Sequence, residues 1–215
     1  MANTKDYHDY VIKDGKFVGA FEEMYQNVED PWHQTEEAAH SYSRMDTVNS
    51  IRRFHLGTVL EAGCGLGHFT NYLQAHCPSS KIIGMDIAPT AIEKAKASFP
   101  KLSFIAGNLK DLDAILASHG FAPDGIVFSE IMWYILQDLD VILEKTKKAL
   151  LSTGGGVLLI NQVFYHGGQR YGREFFTTQE EMMDYIGWDV LARTRSETAD
   201  VTSSYETHTV LRPRR

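Results

Sequence analysis

The hydrophobic positions of the chain form short runs that alternate with longer amphipathic segments from residue 58 onward. Short apolar runs are typical of buried strands, and amphipathic helices between them are typical of βα units on a parallel sheet. The pattern predicts strands at 58–62, 81–86, 102–106, 125–129, 156–162, 189–194 and 208–211. It predicts helices at 67–76, 89–98, 109–119, 139–150 and 178–186. The expected fold class is therefore α/β, with a doubly wound and mainly parallel seven-stranded sheet.

The first fifty residues lie outside this alternation and are rich in aromatic and histidine residues. We interpret residues 1–50 as an N-terminal extension and residues 51–215 as one globular α/β unit. Two functions are open for the extension. It forms a lid over a binding site, or it is an apolar arm that covers an edge of the sheet, since exposed edges need protection.

Composition narrows the functional classes. The chain has 215 residues, 43% hydrophobic and 23% charged, which suits one domain with a full core. A net charge of −7 would repel phosphate backbones, so a nucleic-acid partner is not expected. No apolar run is long enough to cross a bilayer and the N-terminus is polar, so we expect a cytoplasmic protein without a membrane partner. Two cysteines and nine histidines show no metal-ligand spacing, so no metal is expected.

The segment TVLEAGCGLGHFT has the most informative functional pattern. A strand that contains Glu61 leads through Gly63, Gly65 and Gly67 into a predicted helix. Glycines have no Cβ and tolerate positive φ, so a small molecule can lie against this turn. A dinucleotide site requires G-x-G-x-x-G, but the third glycine position is His68, which makes a nicotinamide cofactor the weaker interpretation. A glycine turn without any ligand is the third alternative.

The pattern E-x-G-x-G-x-G, followed by Asp86 at the end of the next strand, resembles the cofactor loop of class I S-adenosylmethionine-dependent methyltransferases. The resemblance implies a Rossmann-like methyltransferase fold, S-adenosylmethionine as the cofactor, a closing antiparallel hairpin and an N-terminal helical lid. It also implies that the Asp86 carboxylate accepts hydrogen bonds from both ribose hydroxyls, which are charge-assisted bonds. Glu61 holds the position of the acid that helps to bind the amino end of the cofactor, although it could instead cap backbone amides.

The same resemblance assigns residues to the adenine. Ile87 presents an apolar side chain to one face of the ring, and Asn108 and Leu109 hold the position that reads its edge. The family usually has aspartate where this chain has Asn108. An asparagine carbonyl can still accept from the exocyclic amine, although asparagine is also a common turn residue.

Within the family, the chain most resembles small-molecule enzymes of the nodulation-type N-methyltransferase group. Its fourth strand ends in Ser129 and Glu130 followed by aromatic residues, and the triplet that ends at Trp32 is similar to their N-terminal segment. The resemblance covers about residues 30–162. It adds Trp32 and Ser129 to the cofactor-binding candidates.

An arginine is expected at the methionyl carboxylate, because a guanidinium pairs with that group through two parallel hydrogen bonds. Arg44 is the candidate, and Arg52 or Arg53 could serve instead.

Methyl transfer from a sulfonium is an in-line displacement, so the enzyme mainly positions the reactants and excludes water. A general base assists when the acceptor must lose a proton. The candidate bases are Glu130, His33 and His166. The candidate acceptor-binding residues are Tyr134 and Tyr165, with Arg170 and Arg173 in the Gly-rich segment FYHGGQRYGREFFT, which could also be a solvated loop.

The leading hypothesis is an S-adenosylmethionine-dependent methyltransferase that acts at N or O of a small polar acceptor, such as a sugar or amino-sugar derivative. The fourth strand is not followed by N-P-P-Y or D-P-P-Y, which disfavours amide or nucleobase amino groups. A nicotinamide-dependent oxidoreductase and a non-catalytic cofactor-binding regulator are the alternatives. No pattern in the sequence indicates an oligomeric state.

Overall fold

The computed structural model describes residues 10–13, 16–34, 41–169 and 171–215. In chain order the elements are β1 (Ile12–Lys13), β2 (Lys16–Phe17), α1 (Phe21–Asn27), α2 (Tyr42–Arg53), β3 (Thr58–Ala62), α3 (His68–His76), β4 (Lys81–Asp86), α4 (Pro89–Ser98), β5 (Ser103–Ala106), α5 (Leu112–His119), β6 (Gly125–Ser129), α6 (Met132–Ile135), α7 (Leu139–Ser152), β7 (Val157–Tyr165), α8 (Gln179–Ile186), β8 (Asp189–Thr198) and β9 (Val201–Arg212). Single 3₁₀ turns at Leu109–Asp111 and Leu136–Asp138 precede α5 and α7. Among the helices of the described residues, none is long and apolar enough to span a membrane.

A seven-stranded sheet organises the molecule, in the order β5-β4-β3-β6-β7-β9-β8. The strands from β5 to β7 are parallel, and the β8–β9 hairpin adds β9 antiparallel to β7. The predicted sheet and its closing hairpin are therefore confirmed. From β3 the strand order runs through β4 to β5 at one edge of the sheet, and the chain then returns to place β6 on the other side of β3. The strand order therefore reverses between the parallel neighbours β3 and β6. Ligands bind at this switch point in open α/β sheets.

Both faces of the sheet are covered, as the continuous apolar strands predict. In β3, Leu60 packs in a cluster with Ile142 of α7, while its neighbour Val59 packs on the other face with Val48 of α2 and Leu73 of α3. All five side chains are at least 95% buried. The alternation places a helical layer on each face of the sheet.

The element boundaries agree closely with the pattern for β3, β4, β6 and α4. The predicted helix at 109–119 is interrupted, because the Asn108 side chain accepts a hydrogen bond from the Lys110 amide (3.0 Å) and begins a separate 3₁₀ turn. The hairpin strands are longer than predicted. Their outer halves are mostly solvent-exposed, so apolar alternation is absent there.

Helix α2 was not predicted as a separate element. Three of its five buried residues are polar, namely Ser43, Thr47 and Ser50, so its buried face carries little hydrophobic signal. The helix crosses residue 50, where the extension was expected to end, and it packs on β7, β8 and β9.

A buried polar network holds α2 on the sheet. The Asn161 side chain on β7 donates to the Thr47 hydroxyl (2.8 Å), and its carbonyl oxygen lies 2.7 Å from Nδ1 of His208 on β9. The other ring nitrogen of His208 lies 2.8 Å from the Ser50 hydroxyl. All four side chains are at least 93% buried. Each polar group therefore has a partner, as burial requires.

The burial of His208 predicts a specific pH dependence of stability. Removal from water lowers the pKa of His208 from 6.5 to about 4. The unfolded chain therefore binds a proton between pH 6.5 and pH 4 that the folded chain does not, so stability falls as the pH drops through this window. We expect this residue to lower the free energy of unfolding by roughly 3 kcal/mol between pH 7 and pH 4.

Urea unfolding of the wild-type protein and of His208→Gln at several pH values measures this contribution. At pH 7 the variant should be less stable by about 1 kcal/mol because it loses part of the network. The difference should shrink and reverse as the pH falls to 4. A difference that stays constant with pH would show that His208 is not kept neutral by burial.

Candidate functional site

A cavity of about 660 Å³ opens at the carboxyl ends of β3, β4, β6 and β7. Most of the residues singled out from the sequence line it, as follows: Trp32, Arg44, Gly63, Asp86, Ile87, Asn108, Leu109, Ser129, Glu130, Tyr134 and Tyr165. They come from separate elements, and the parallel strands bring them together because their ends meet at one edge of the sheet.

Several candidates lie elsewhere. Glu61, Gly65, Gly67, His33, His166 and Arg173 are not part of the cavity wall. Arg170 lies outside the described residues.

The three candidates from loops have other surroundings. The exposed His166 donates its backbone N–H to the Ser203 carbonyl (3.0 Å), and the Arg173 side chain donates to the Gln169 carbonyl. His33 is exposed and has a positive φ of 50°. These positions give no geometric support to a role in catalysis or acceptor binding, which stays a prediction for each of them.

The glycine loop is packed by protein side chains as well as by the cavity. A Cβ on Gly63 would lie 2.3 Å from Cγ2 of Ile131, and a Cβ on Gly65 would lie 2.6 Å from the Tyr25 hydroxyl and 2.7 Å from Oε1 of Gln34. Both glycines have positive φ. Glycine is therefore required here for backbone conformation and for close packing, and Gly63 is the one that also borders the cavity.

Gly67 is packed against protein side chains. Its missing Cβ would lie 2.7 Å from the Phe104 ring and 3.1 Å from Cβ of Ala95. The residue starts α3 and is buried against α4 and β5.

Asp86 ends β4 and is 93% buried. One carboxylate oxygen accepts from the Gly65 amide (2.8 Å), and the other accepts from the Ala88 amide (2.9 Å). These bonds orient the side chain between the glycine loop and the start of α4. Burial raises the pKa of Asp86, against the lowering effect of the backbone hydrogen bonds.

Glu61 is buried beneath the loop and accepts a hydrogen bond from the Thr70 hydroxyl of α3 (2.5 Å). Burial raises the pKa of Glu61 to about 7, while Thr70 and Arg44 lower it. A side-chain hydroxyl, and not a row of backbone amides, is therefore its partner in this structure.

The three adenine candidates, Ile87, Asn108 and Leu109, all line the cavity. Ile87 is 51% exposed although it is a large apolar side chain, and the cavity is the space it faces. Leu109 is buried, and the side-chain carbonyl of Asn108 accepts a hydrogen bond from the Lys110 amide, as the alternative of a turn residue predicts. An exposed apolar residue in a cavity is typical of a ligand contact.

Arg44 lies in the first turn of α2 and also lines the cavity. Its guanidinium is 5.2 Å from the centre of the Phe69 ring. Among the described residues, this guanidinium has no hydrogen bond or ion pair. By contrast, Arg52 donates to the His76 carbonyl (3.1 Å), and Arg53 is exposed outside the cavity. The geometry therefore favours Arg44 among the three arginines as the cation available to a ligand.

Glu130 follows β6 and has a φ of 59°, which is uncommon for a residue with a side chain. Its carboxylate accepts from the Val163 amide (3.1 Å), and its own amide donates to the Asn161 carbonyl (2.9 Å). Burial raises the pKa of Glu130 to about 7, opposed by the Val163 hydrogen bond and by Arg44. Near pH 7 this carboxyl can therefore accept or release a proton.

The N-terminal segment lies across the glycine loop. Oε1 of Gln34 accepts from the Leu66 amide (2.9 Å), and the Trp32 indole donates to the Tyr25 hydroxyl (3.0 Å). Trp32 also packs against Tyr134, with ring centres 5.5 Å apart.

A second set of contacts joins this segment to α4. Glu22 accepts from the amide (3.1 Å) and the hydroxyl (2.6 Å) of Thr90, and the Lys94 ammonium donates to the carbonyls of Tyr25 (2.7 Å) and Val28 (3.3 Å). Helix α1 is therefore fixed to the helix that follows Asp86.

Sequence reasoning missed four wall residues that matter for this geometry: Phe21, Tyr25, Gln34 and Glu206. The aromatic content of the extension was a signal for the first two. Gln34 and Glu206 are single polar residues in segments without a motif, so the sequence gives no sign of their position.

No group of three or more metal-ligating side chains occurs among the described residues. The charged groups of the cavity wall are four carboxylates (Asp86, Glu130, Asp138 and Glu206), the Arg44 guanidinium and the Lys110 ammonium, and several hydroxyl and amide groups accompany them.

Comparisons with known proteins concern the family and the fold of the chain. Residues 60–157 match the model of the family described as Methyltransferase domain. Trans-aconitate 2-methyltransferase of Methylobacterium radiotolerans is 30% identical over 96 residues, which cover 45% of this chain and 34% of that protein. Nodulation protein S of Rhizobium tropici is 25% identical over 123 residues, which cover 57% of this chain and 50% of that protein. The chain thus spans a third to a half of the length of these curated relatives.

A solved structure resembles nearly the whole fold. The N-methyltransferase NodS from Bradyrhizobium japonicum, in complex with S-adenosylhomocysteine, superimposes with a TM-score of 0.59 at 18% identity, covering 87% of this chain and 93% of that one. At this identity the likeness concerns the fold. Residues 60–157 thus match a methyltransferase domain, and the comparisons together support a class I S-adenosylmethionine-dependent methyltransferase that resembles the nodulation-type enzymes.

Proposed function

We propose that this protein transfers the methyl group of S-adenosylmethionine to a nitrogen or oxygen atom of a small polar acceptor. The observation that supports this most directly is that Asp86 and Arg44 line the same cavity. The first offers a fixed carboxylate, and the second offers a guanidinium that has no hydrogen bond or ion pair among the described residues.

The chemistry of the wall fits the groups of this cofactor. A ribose diol needs acceptors, which Asp86 supplies. An adenine needs apolar faces, which Ile87 and Leu109 supply, and a carboxylate needs a cation, which Arg44 supplies. S-adenosylmethionine provides an activated methyl group when it is bound, so the protein itself needs only to orient the acceptor and exclude water.

The N-terminal segment is proposed as the lid. It contacts both α4 and the glycine loop, and its residues Tyr25, Trp32 and Gln34 are part of the cavity wall. In this arrangement the segment limits the access of water to the methyl group. In this proposal the extension ends at residue 50, although α2 crosses that position and packs on the sheet.

The acceptor contacts are proposed at the remaining wall. Tyr134 and the half-exposed Tyr165 border the cavity beside Glu130. Hydroxyl groups and a carboxylate suit a polar acceptor such as a sugar or amino-sugar derivative, and Glu130 can take the proton that the acceptor loses.

Titration calorimetry with S-adenosylhomocysteine and with NADH tests the cofactor. We expect binding of the former and no heat with NADH. Binding of NADH alone would replace this proposal by the oxidoreductase. Transfer of a labelled methyl group to a panel of small amines, sugars and acids then tests activity, and cofactor binding without any turnover would favour the non-catalytic regulator.

Replacement of Arg44 by alanine should weaken S-adenosylhomocysteine binding by about tenfold or more, because a charge-assisted pair is lost. Arg44→Lys should recover only part of the affinity, since lysine keeps the charge but not the two-pronged geometry. Arg53→Ala is the matched control on the same helix and should bind normally. Calorimetry on the three variants decides the assignment, and normal affinity in Arg44→Ala would remove this residue from the site.

A further inference from the structure

Helix α2, which carries Arg44, is capped by a residue that is far away in sequence. The Ser41 hydroxyl donates to Oε2 of Glu206 (2.6 Å), and the Ser43 amide donates to the same oxygen (3.0 Å). Glu206 lies on β9, 163 residues after Ser43. The closing hairpin therefore supplies the carboxylate at the N-terminus of this helix.

This contact compensates for a local deficiency of α2. As the N-cap residue, Ser41 accepts only one long hydrogen bond from the helix, which the Arg44 amide donates (3.4 Å). The first turn of the helix contains no acidic residue. A helix N-terminus has free N–H groups and a partial positive charge, and a carboxylate satisfies both. Glu206 provides this stabilisation from outside the helix.

The cap lines the same cavity as the two proposed functional residues Arg44 and Glu130. Ser41, Arg44, Glu130 and Glu206 all line the cavity. In the sheet register Glu206 is opposite Val163, whose amide donates to Glu130. The positions of the Arg44 guanidinium and of the Glu130 carboxylate are thus set by neighbouring points of the β7–β9 pair.

We propose that Glu206 is a positioning residue for the cofactor: by capping α2, it holds Arg44 where the carboxylate end of S-adenosylmethionine binds. This inference rests on the proposed function. It assigns a role in cofactor binding to the hairpin, which lies outside the segment that matches the family model.

Calorimetric titration of S-adenosylhomocysteine into a double-mutant cycle of Glu206→Ala and Arg44→Ala tests this role. In the wild-type background we expect Glu206→Ala to weaken binding by about tenfold, and Glu206→Gln, which keeps an oxygen acceptor, by about threefold or less. In the Arg44→Ala background, Glu206→Ala should have no further effect. Glu197→Ala removes an exposed carboxylate from the same hairpin and should bind like the wild type.

Two outcomes would overturn the inference: normal affinity in Glu206→Ala, or the same loss in both backgrounds, since an equal loss would mean that Glu206 acts on the ligand independently of Arg44. Circular dichroism and thermal unfolding of each variant separate these outcomes from misfolding, and Glu206→Gln gives a folded reference. Failure of the wild-type protein to bind S-adenosylhomocysteine would refute the proposed function itself and is distinguishable from both.

Discussion

Asp86→Ala should weaken the binding of S-adenosylhomocysteine by at least about a hundredfold. Each hydrogen bond between a charged group and a neutral partner contributes roughly 1.5–3 kcal/mol, and a ribose diol offers two such donors. The side chain is already oriented by the Gly65 and Ala88 amides, so little ordering is needed when the ligand arrives. Titration calorimetry on the purified variant measures the loss.

Asp124 provides a control with the same local chemistry, because it also accepts from two backbone amides but lies at the amino end of β6, away from the cavity. Its two carboxylate oxygens accept from the amides of Gly57 and Thr58, each at 2.9 Å. Asp124→Ala therefore removes two comparable backbone contacts and should lower the melting temperature without changing the affinity for S-adenosylhomocysteine. Equal binding by the Asp86 and Asp124 variants would contradict the assignment of the ribose to Asp86.

The glycine loop and Asp86 were predictable because their signals are local. A strand of five or six residues, a turn that requires positive φ and an acid at the end of the next strand are all determined by neighbouring residues. Parallel strands then bring these ends together without further information. The sequence alone could for this reason predict that Gly63 and Asp86 lie together at one edge of the sheet, where both line the cavity.

The α2 helix and its contacts were not predictable in the same way. Thr47, Ser50, Asn161 and His208 are polar residues that are buried because they bond to one another across two strands and a helix. Neither hydrophobic periodicity nor spacing identifies such partners, since each residue alone has the properties of a surface position. The contact between Glu206 and Ser41 has the same character.

The loop histidines show the limit of assignment by residue type. His33 and His166 were candidates because we expected them at the mouth of the pocket, yet neither lines the cavity. Glu130 lines it, and its pKa of about 7 comes from burial, which is a property of the folded chain. Chemical suitability therefore depended on packing and not on the identity of the side chain.

Glu130→Gln should lower kcat by about a hundredfold while changing the affinity for S-adenosylhomocysteine by about threefold or less, if its carboxylate takes the proton of the acceptor. Glutamine keeps an oxygen that can accept from the Val163 amide, so the backbone should stay in place. Because the carboxylate form is the base, the wild-type rate should rise with pH to about 7 and then level off. Initial rates of labelled methyl transfer, measured from pH 5.5 to pH 8.5, should show this rise in the wild type only.

Stability measurements on the same variant separate loss of a base from damage to the fold. The pKa of Glu130 is raised in the folded state from 4.5 to about 7, so ionisation above pH 4.5 favours the unfolded chain. A neutral glutamine avoids this cost, and Glu130→Gln should become more stable than the wild type by up to roughly 2–3 kcal/mol at pH 8, with the difference disappearing near pH 4.5. An inactive variant that is more stable at high pH would identify Glu130 as a group whose burial serves the reaction. An inactive variant that is less stable at every pH would instead mean that Glu130 supports the strand end at Val163.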